Sequence, residues 1–305
     1  MFFSSDDAQA RVAPAPPSSC AAAPASRHEA PIRSILAIFD FASRGDNAVQ
    51  RAQLLAAQTG ARLEVMDLSG LALADHPASV LAEAAALAQS ADLVVMADRR
   101  DPSPGAFFRG QPPLRLLRAC GRPLLVARAG AVRPYARILV GTDLAEATSA
   151  RLLAHAAQLE PGAAVELFHA LDVRDEAKLR SAEAPVWAVR QFRQRRVAQA
   201  GQRIAQLAAA CDAVRDPAQT HIGHGDPAQQ LARRQRATSA DLVVVGKRPA
   251  SWAGDFFRGS VAARLLAWST SDVLVLPGQA EGRAGRPLPA LRRGGMQPAM
   301  QQGPV

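Results

Sequence analysis

Short apolar bursts alternate along the chain with longer stretches whose apolar residues recur at helical spacing. The bursts occupy 32–39 (IRSILAIF), 63–68 (LEVMDL), 93–97 (LVVMA) and 124–127 (LLVA) in the first part of the chain. They return at 137–142 (RILVGT), 165–171 (VELFHAL), 220–223 (THIG), 241–246 (DLVVVG) and 273–276 (VLVL). Bursts of this length, bounded by turn residues, predict strands buried on both faces. Between them, 49–58, 78–89, 114–119, 147–159, 228–237 and 260–268 carry helical spacing, and 176–210 is a longer Arg-rich helical region broken near Pro185. Local signals mark the ends: Asp46 or Asn47 as a cap, Gly60 at a C-cap, Pro77 in a first turn, Thr148 or Ser149 as a cap, and Asp226-Pro227 at a helix start. Strands alternating with helices predict an α/β fold of open, twisted parallel sheets with right-handed crossovers.

The chain also repeats itself. Residues 240–259 read ADLVVVGKRPASWAGDFFRG and 91–110 read ADLVVMADRRDPSPGAFFRG; at an offset of 149 they align without a gap, and eleven of twenty positions are identical. Such identity marks a duplicated unit. Asp40 and Asp143, each closing a first strand, pair at an offset of 103. The first unit is therefore 46 residues shorter, about one helix and one strand, between its second strand and its Pro77 helix. The copies differ where chemistry would sit. In the second, a strand ends at Gly246, and Gly259-Ser260 opens the next helix. A Gly lets the backbone turn, and a Gly-Ser helix start leaves N–H groups and a hydroxyl for a phosphate. At the positions matching Gly246, Pro249, Gly259 and Ser260 the first copy has Ala97, Arg100, Gly110 and Gln111, which reads as a structural relic.

These signals divide the chain into four parts. Residues 1–30, rich in Pro, Ala and Ser, and the tail 279–305, rich in Gly, Pro, Gln and Arg, are predicted to be disordered. A degenerate unit spans 31–130 and a complete one 134–278, each long enough for its own core. With one Tyr and 5% aromatic residues, the chain lacks the ring platforms on which single-stranded nucleic acid stacks. The net charge of +9 is spread along the chain rather than gathered in one patch, so nucleic acid is not an expected partner. Cys20, Cys120 and Cys211 match no metal or redox spacing and point to a reducing compartment. No apolar run reaches the length of a membrane span, and Asp6 and Asp7 interrupt the start where a secretory signal would be apolar. The expected location is cytoplasmic, with no membrane partner.

Three features of the second unit come together. A strand ends in Gly141-Thr142-Asp143, a second strand reads VELFHALD, and a third leads through Gly246 and a loop to Gly259-Ser260, a helix and a VLVLP strand. This block resembles the universal stress protein family, and the chain resembles its tandem members over roughly 32–128 and 135–277. The family's nucleotide pattern is Gly, two residues, Gly, nine residues, Gly, then Ser or Thr. Here it falls on Gly246, Pro249, Gly259 and Ser260, with the spacing kept and Pro in place of the middle Gly.

The resemblance implies two tandem adenine-nucleotide alpha hydrolase-like units, the first truncated, with one site for ATP or ADP, with or without Mg, in the second. It implies Asp143 beside the adenosine, Ala170 offering backbone groups to the adenine edge, and Gly246, Arg248, Gly259, Ser260 and Val261 around ribose and phosphates. It further implies an internal pseudo-dimer in which the closing strands of the two units meet; such a chain stays monomeric by that pairing or pairs again as a homodimer. Pro249 supplies no N–H and fixes φ near −65°. One lost hydrogen bond to a phosphate costs roughly 1–3 kcal/mol, about a five- to hundredfold weakening. Lys247 and Arg248 offset part of that by charge.

The expected function is a stress-response protein with a regulatory adenine-nucleotide site and at most slow hydrolysis. Two alternatives stand beside it. One is an interaction or dimerisation module that kept the fold and lost the ligand, which Pro249 favours. The other is an adenylate-handling enzyme of the same superfold, for which no catalytic motif is present: there is no H-E-x-x-H, no G-x-x-x-x-G-K-[ST], and no recognisable Ser, His and Asp set. Several signals also have purely structural readings. Gly259-Ser260 can cap a helix, and Asp143 or Asp40 can close an Asx turn. His221 and His224, three apart on a strand, point to opposite faces and are not expected to share a metal. His169 reads as a sheet-packing residue, the run 190–196 (RQFRQRR) as a solvated helix face, and Phe107-Phe108 and Phe256-Phe257 as aromatics packing beneath the following helix.

Overall fold

The computed structural model describes residues 30–39, 46–67, 77–97, 112–128, 130, 132–210, 218–246 and 261–278. Among these, the apolar bursts become nine strands of one sheet: β1 (Ser34–Phe39), β2 (Arg62–Asp67), β3 (Leu93–Ala97), β4 (Leu124–Ala127), β5 (Arg137–Gly141), β6 (Ala164–Leu171), β7 (Gln219–His224), β8 (Leu242–Gly246) and β9 (Asp272–Leu276). The helices are α1 (Asp46–Thr59), α2 (Pro77–Ala88), α3 (Pro112–Cys120), α4 (Glu146–Leu159), α5 (Arg174–Ser181), α6 (Val186–Ala209), α7 (Pro227–Thr238) and α8 (Val261–Trp268). The strand order is β2-β1-β3-β4-β9-β8-β5-β6-β7. Neighbours run parallel except β4 and β9, which are antiparallel with Leu124 opposite Val275 and Val126 opposite Val273. No helix among the described residues is long and apolar enough to cross a membrane.

The period of two along each strand feeds two cores, one on each face of the sheet. Ile35, Val95, Ile138, Val140 and Val244 meet α1, α4 and α6 through Leu55, Leu152, Ala156 and Ile204. Leu36, Val94, Val243, Val245 and Val275 meet α2, α3, α7 and α8 through Ala84, Leu117, Leu231 and Leu265. Burial on both faces is why the bursts read as continuous apolar runs.

The two halves follow one plan, β1-β2-β3-β4 matching β5-β6-β8-β9, and α5, α6 and β7 have no counterpart among the described residues of the first half. The shortfall is thus one strand and two helices, since Pro185 divides the Arg-rich stretch between α5 and α6. Its absence leaves β2 as a sheet edge with Val65 49% exposed.

The repeat explains itself at the strand entrances. Asp92 Oδ2 accepts from the N–H groups of Arg33 and Ser34 at 2.9 and 3.0 Å. Its counterpart Asp241 accepts in the same way from Ala136 and Arg137 at 2.9 and 3.0 Å. Each carboxylate anchors the first residues of the neighbouring first strand, so this Asp is retained in both copies for architecture.

Some local signals resolve differently from expectation. Neither Thr148 nor Ser149 caps α4, which starts at Glu146 after Ala145 and has no side-chain cap. Asn47 lies inside α1, and its Nδ2 donates to Arg128 O, just past β4 of the same half, at 3.2 Å. Gly60 does close α1 with φ 69°, and Asp226 does cap α7, accepting from Gln229 N at 3.0 Å.

The seam between the halves rests on Asp272, the first residue of β9. Asp272 Oδ2 lies 2.9 Å from Arg51 Nε of α1 and accepts from the Tyr135 hydroxyl at 2.8 Å. Asp272 Oδ1 accepts from Arg128 N at 2.7 Å. Arg51 also donates to Arg133 O at 2.6 Å and sits 4.2 Å above the centre of the Tyr135 ring. Burial and the adjacent Asp272 carboxylate push the Tyr135 phenol well above its ordinary value, so it remains a neutral donor. Removing one partner of a buried ion pair costs about 3–5 kcal/mol because the other charge stays buried. Asp272→Ala is therefore expected to lower stability by about that amount in urea unfolding, and Tyr135→Phe by a smaller ~1–3 kcal/mol. Equal effects from the two variants would contradict the central role of Asp272.

Candidate functional site

Adjacent parallel strands whose following helices leave to opposite faces open a crevice at their carboxyl ends. In the second half this happens between β5 and β8: α4 follows β5 onto one face, and α8 follows β8 onto the other. Four expected ligand positions border this crevice. Asp143 lies just past β5, Ala170 is the last residue but one of β6, Gly246 ends β8 and Val261 opens α8. Arg248, Gly259 and Ser260, with Pro249, lie outside the described residues, as do Asp40 and both Phe-Phe pairs.

The turn after β5 is tightly held. Asp143 Oδ1 accepts from Ala145 N at 3.1 Å, an Asx turn. Thr142 Oγ1 accepts from Leu144 N at 2.9 Å, and Leu144 takes a left-handed φ of 68°, which a side chain of its size rarely adopts. Ser149 Oγ donates to Ala145 O at 2.7 Å, so its 2.6 Å contact with Thr142 Oγ1 has Thr142 as donor. His169 Nδ1 donates to Thr142 O at 2.9 Å and ties the turn to β6.

Ala170 owes its position to the point where β5 ends. Thr142 N donates to Phe168 O at 2.8 Å, so the Phe168 backbone groups face β5. Two residues later, those of Ala170 face the same side, where the chain has turned away into Asp143. On the far side, β6 remains paired with β7 through His224. At Gly246, a Cβ would lie 3.3 Å from Thr148 Cγ2, so the strand end and α4 sit close together there.

The α8 helix that would carry the phosphate end is moored to α7. Arg264 Nη1 donates to Asp226 Oδ2 at 2.7 Å while Asp226 Oδ1 caps α7. Beyond Ala170, at the end of β7, His224 Nε2 donates to Glu176 Oε1 at 2.6 Å, and Arg193 donates to Glu176 Oε2 at 2.7 Å. The bonded Arg193 guanidinium outweighs burial and, helped by His224, holds the Glu176 carboxyl down at about 2 from an ordinary 4.5. His221 instead stacks on Phe168 with ring centres 5.7 Å apart. The two histidines thus have separate partners, and no metal-ligand cluster occurs among the described residues. The run 190–196 is exposed except for Phe192 and Arg196, with Arg193 committed to Glu176.

Sequence reasoning missed the Thr142–Ser149 pair, the Asp226–Arg264 mooring and the Glu176 cluster. Their partners are separated in the chain by ordinary helical sequence. Only the repeated Ala-Asp at 91–92 and 240–241 signalled such a contact in advance.

The family model described as the Universal stress protein family matches residues 134–277. No curated protein matches the chain in sequence. A protein of unknown function from Pseudomonas aeruginosa PAO1 superposes with a TM-score of 0.54 at 21% identity, covering 81% of this chain and 93% of its own. A putative universal stress protein from Pseudomonas aeruginosa UCBPP-PA14 gives the same values. A universal stress protein from Archaeoglobus fulgidus DSM 4304 has a TM-score of 0.54 at 15% identity, covering 82% of this chain and 97% of its own. Likeness at these identities shows the fold, and it extends over both halves.

Two outcomes test the site's framework. A depressed carboxyl stabilises the fold above its unfolded value and loses that contribution as pH falls through the folded one. The Glu176 contribution is therefore expected to fade between about pH 4.5 and about pH 2, and Glu176→Gln to lack that part of the acid-unfolding profile. A variant profile with the parent's slope would refute this. At Gly223, a Cβ would fall 2.6 Å from Cζ of the buried Phe168 ring. Gly223→Ala is expected to cost about 1–3 kcal/mol in denaturant unfolding. Gly162→Ala, where nothing lies within 4 Å, serves as the neutral control.

Proposed function

The chain belongs to the universal stress protein family through residues 134–277, and from that premise we propose that it binds one adenine nucleotide in the crevice between β5 and β8. The observation that carries this reading is the end of β5. Its turn is fixed by Thr142, Asp143 and Ser149 and leaves the Ala170 backbone facing a vacated strand position. Backbone N–H and C=O groups in that position match the donor and acceptor on an adenine edge. Asp143 stands next to it for the ribose hydroxyls, and the amino end of α8 supplies the positive helix terminus for phosphates.

In this reading ATP or ADP, with or without Mg, acts as a regulatory ligand in a cytoplasmic stress-response protein, with at most slow hydrolysis. Arg248, Gly259, Ser260 and Val261 surround the ribose and phosphates in this reading, with Gly246 giving close backbone approach. The first half acts as the internal pseudo-dimer partner through β4 and β9, its own copy of the loop having lost Gly and Ser at the matching positions.

A second reading rests on Pro249: the domain kept its shape, lost the ligand and works as an interaction module. Isothermal titration of the full chain with ATP and ADP separates the two. The nucleotide reading expects saturable heat that Gly259→Val abolishes and that Asp143→Ala weakens about tenfold, the equivalent of one charge-assisted hydrogen bond. It further expects Pro249→Gly to bind about five- to hundredfold more tightly, as one recovered phosphate contact would give. No heat from either nucleotide at millimolar concentration would leave the interaction module as the function.

A further inference from the structure

A cavity of about 500 Å³ opens where the two halves meet. It lies at the amino ends of β8 and β9, beside the carboxyl end of β4, so it is at the opposite end of β8 from Gly246 and separate from the nucleotide crevice. Its size is that of a small-molecule site, and such sites favour domain interfaces. Both halves build it: α1 and the segment after β4 on one side, the turns entering β8 and β9 on the other.

The lining brings four guanidinium groups, Arg51, Arg128, Arg133 and Arg236, together with two carboxylates, Asp241 and Asp272. Both carboxylates are engaged by the fold. Asp272 takes Arg51, the Tyr135 hydroxyl and Arg128 N, and Asp241 takes the N–H groups of Ala136 and Arg137 with Arg133. The carboxyl end of α8 also brings partial negative charge to this side, and Arg128 answers it by donating to Leu266 O. Two guanidinium groups keep capacity for a ligand. Arg133 holds Asp241 through Nη2 alone, with its side chain 73% exposed. Arg236, also exposed and part of the lining, donates to Ala232 O through Nε and not through its terminal nitrogens. Ser239, the left-handed C-cap of α7 with φ 51°, also lines the cavity.

We propose that this seam cavity binds a small phosphorylated metabolite, its phosphate held by Arg133 and Arg236. A guanidinium fork matches phosphate oxygens two at a time, and two such forks match a dianion. The cavity has room for more than the phosphate. A ligand that touches both halves only when they are docked stabilises the docked state.

The probe is inorganic pyrophosphate, titrated into the full chain at constant ionic strength and followed by calorimetry and thermal unfolding. Saturable binding with a rise in unfolding temperature is expected. Arg133→Ala and Arg236→Ala should each weaken it about tenfold, whereas Arg195→Ala, on the exposed face of α6, should not. Gly259→Val should leave pyrophosphate binding intact, so failure of this site and failure of the nucleotide site are told apart. No binding at about 10 mM, or equal binding by the Arg133 and Arg236 variants, would overturn the proposal. Loss through Gly259→Val would overturn it as well, by assigning the probe to the crevice. Malonate binding as tightly as pyrophosphate would overturn the phosphate assignment.

Discussion

One buried carboxylate decides how this molecule is assembled. The ladder between β4 and β9 turns two sheets into one and removes two exposed edges, but backbone hydrogen bonds alone do not choose a partner or a register. Asp272 supplies that choice. It gathers a guanidinium from α1, a phenol from the segment before β5 and an amide from the end of β4. A carboxylate buried to this degree is tolerated only where its partners are present, so the network forms when the halves dock correctly and penalises other arrangements.

That antiparallel joint has a functional consequence. Strands of the first half run opposite to those of the second, so their carboxyl ends lie at opposite ends of the shared sheet. The crevice proposed for the nucleotide sits at one end of β8, and the seam cavity at the other. The two ends of β8 therefore present different residues, and the seam cavity draws its wall from both halves.

Much of the fold was legible in the sequence because burial on both faces writes itself as continuous apolar runs. All nine strands stand within two residues of the runs that predicted them, and the break at Pro185 divides α5 from α6 as a residue without a free N–H should. Caps were less legible. Thr148 and Ser149 have the right chemistry for a cap, but the turn at Leu144 starts the helix earlier and turns Ser149 inward to Thr142. The duplication was legible too, though not the reason for its best-kept positions. Ala91 and Ala240 are equally buried, and Asp92 and Asp241 each hold the entrance of a neighbouring strand.

By itself, the sequence determined the local order of strands and helices, the duplication, the shortened first half and the glycine pattern around Gly246. These depend on periodicity and on residues close together in the chain. The tertiary structure alone decided which edges join, that Ala170 looks onto a vacated strand position, that Arg264 moors α8 to Asp226, and that arginines from both halves converge on one cavity. Each of those couples residues far apart in the chain, through contacts that exist only once the sheet has formed.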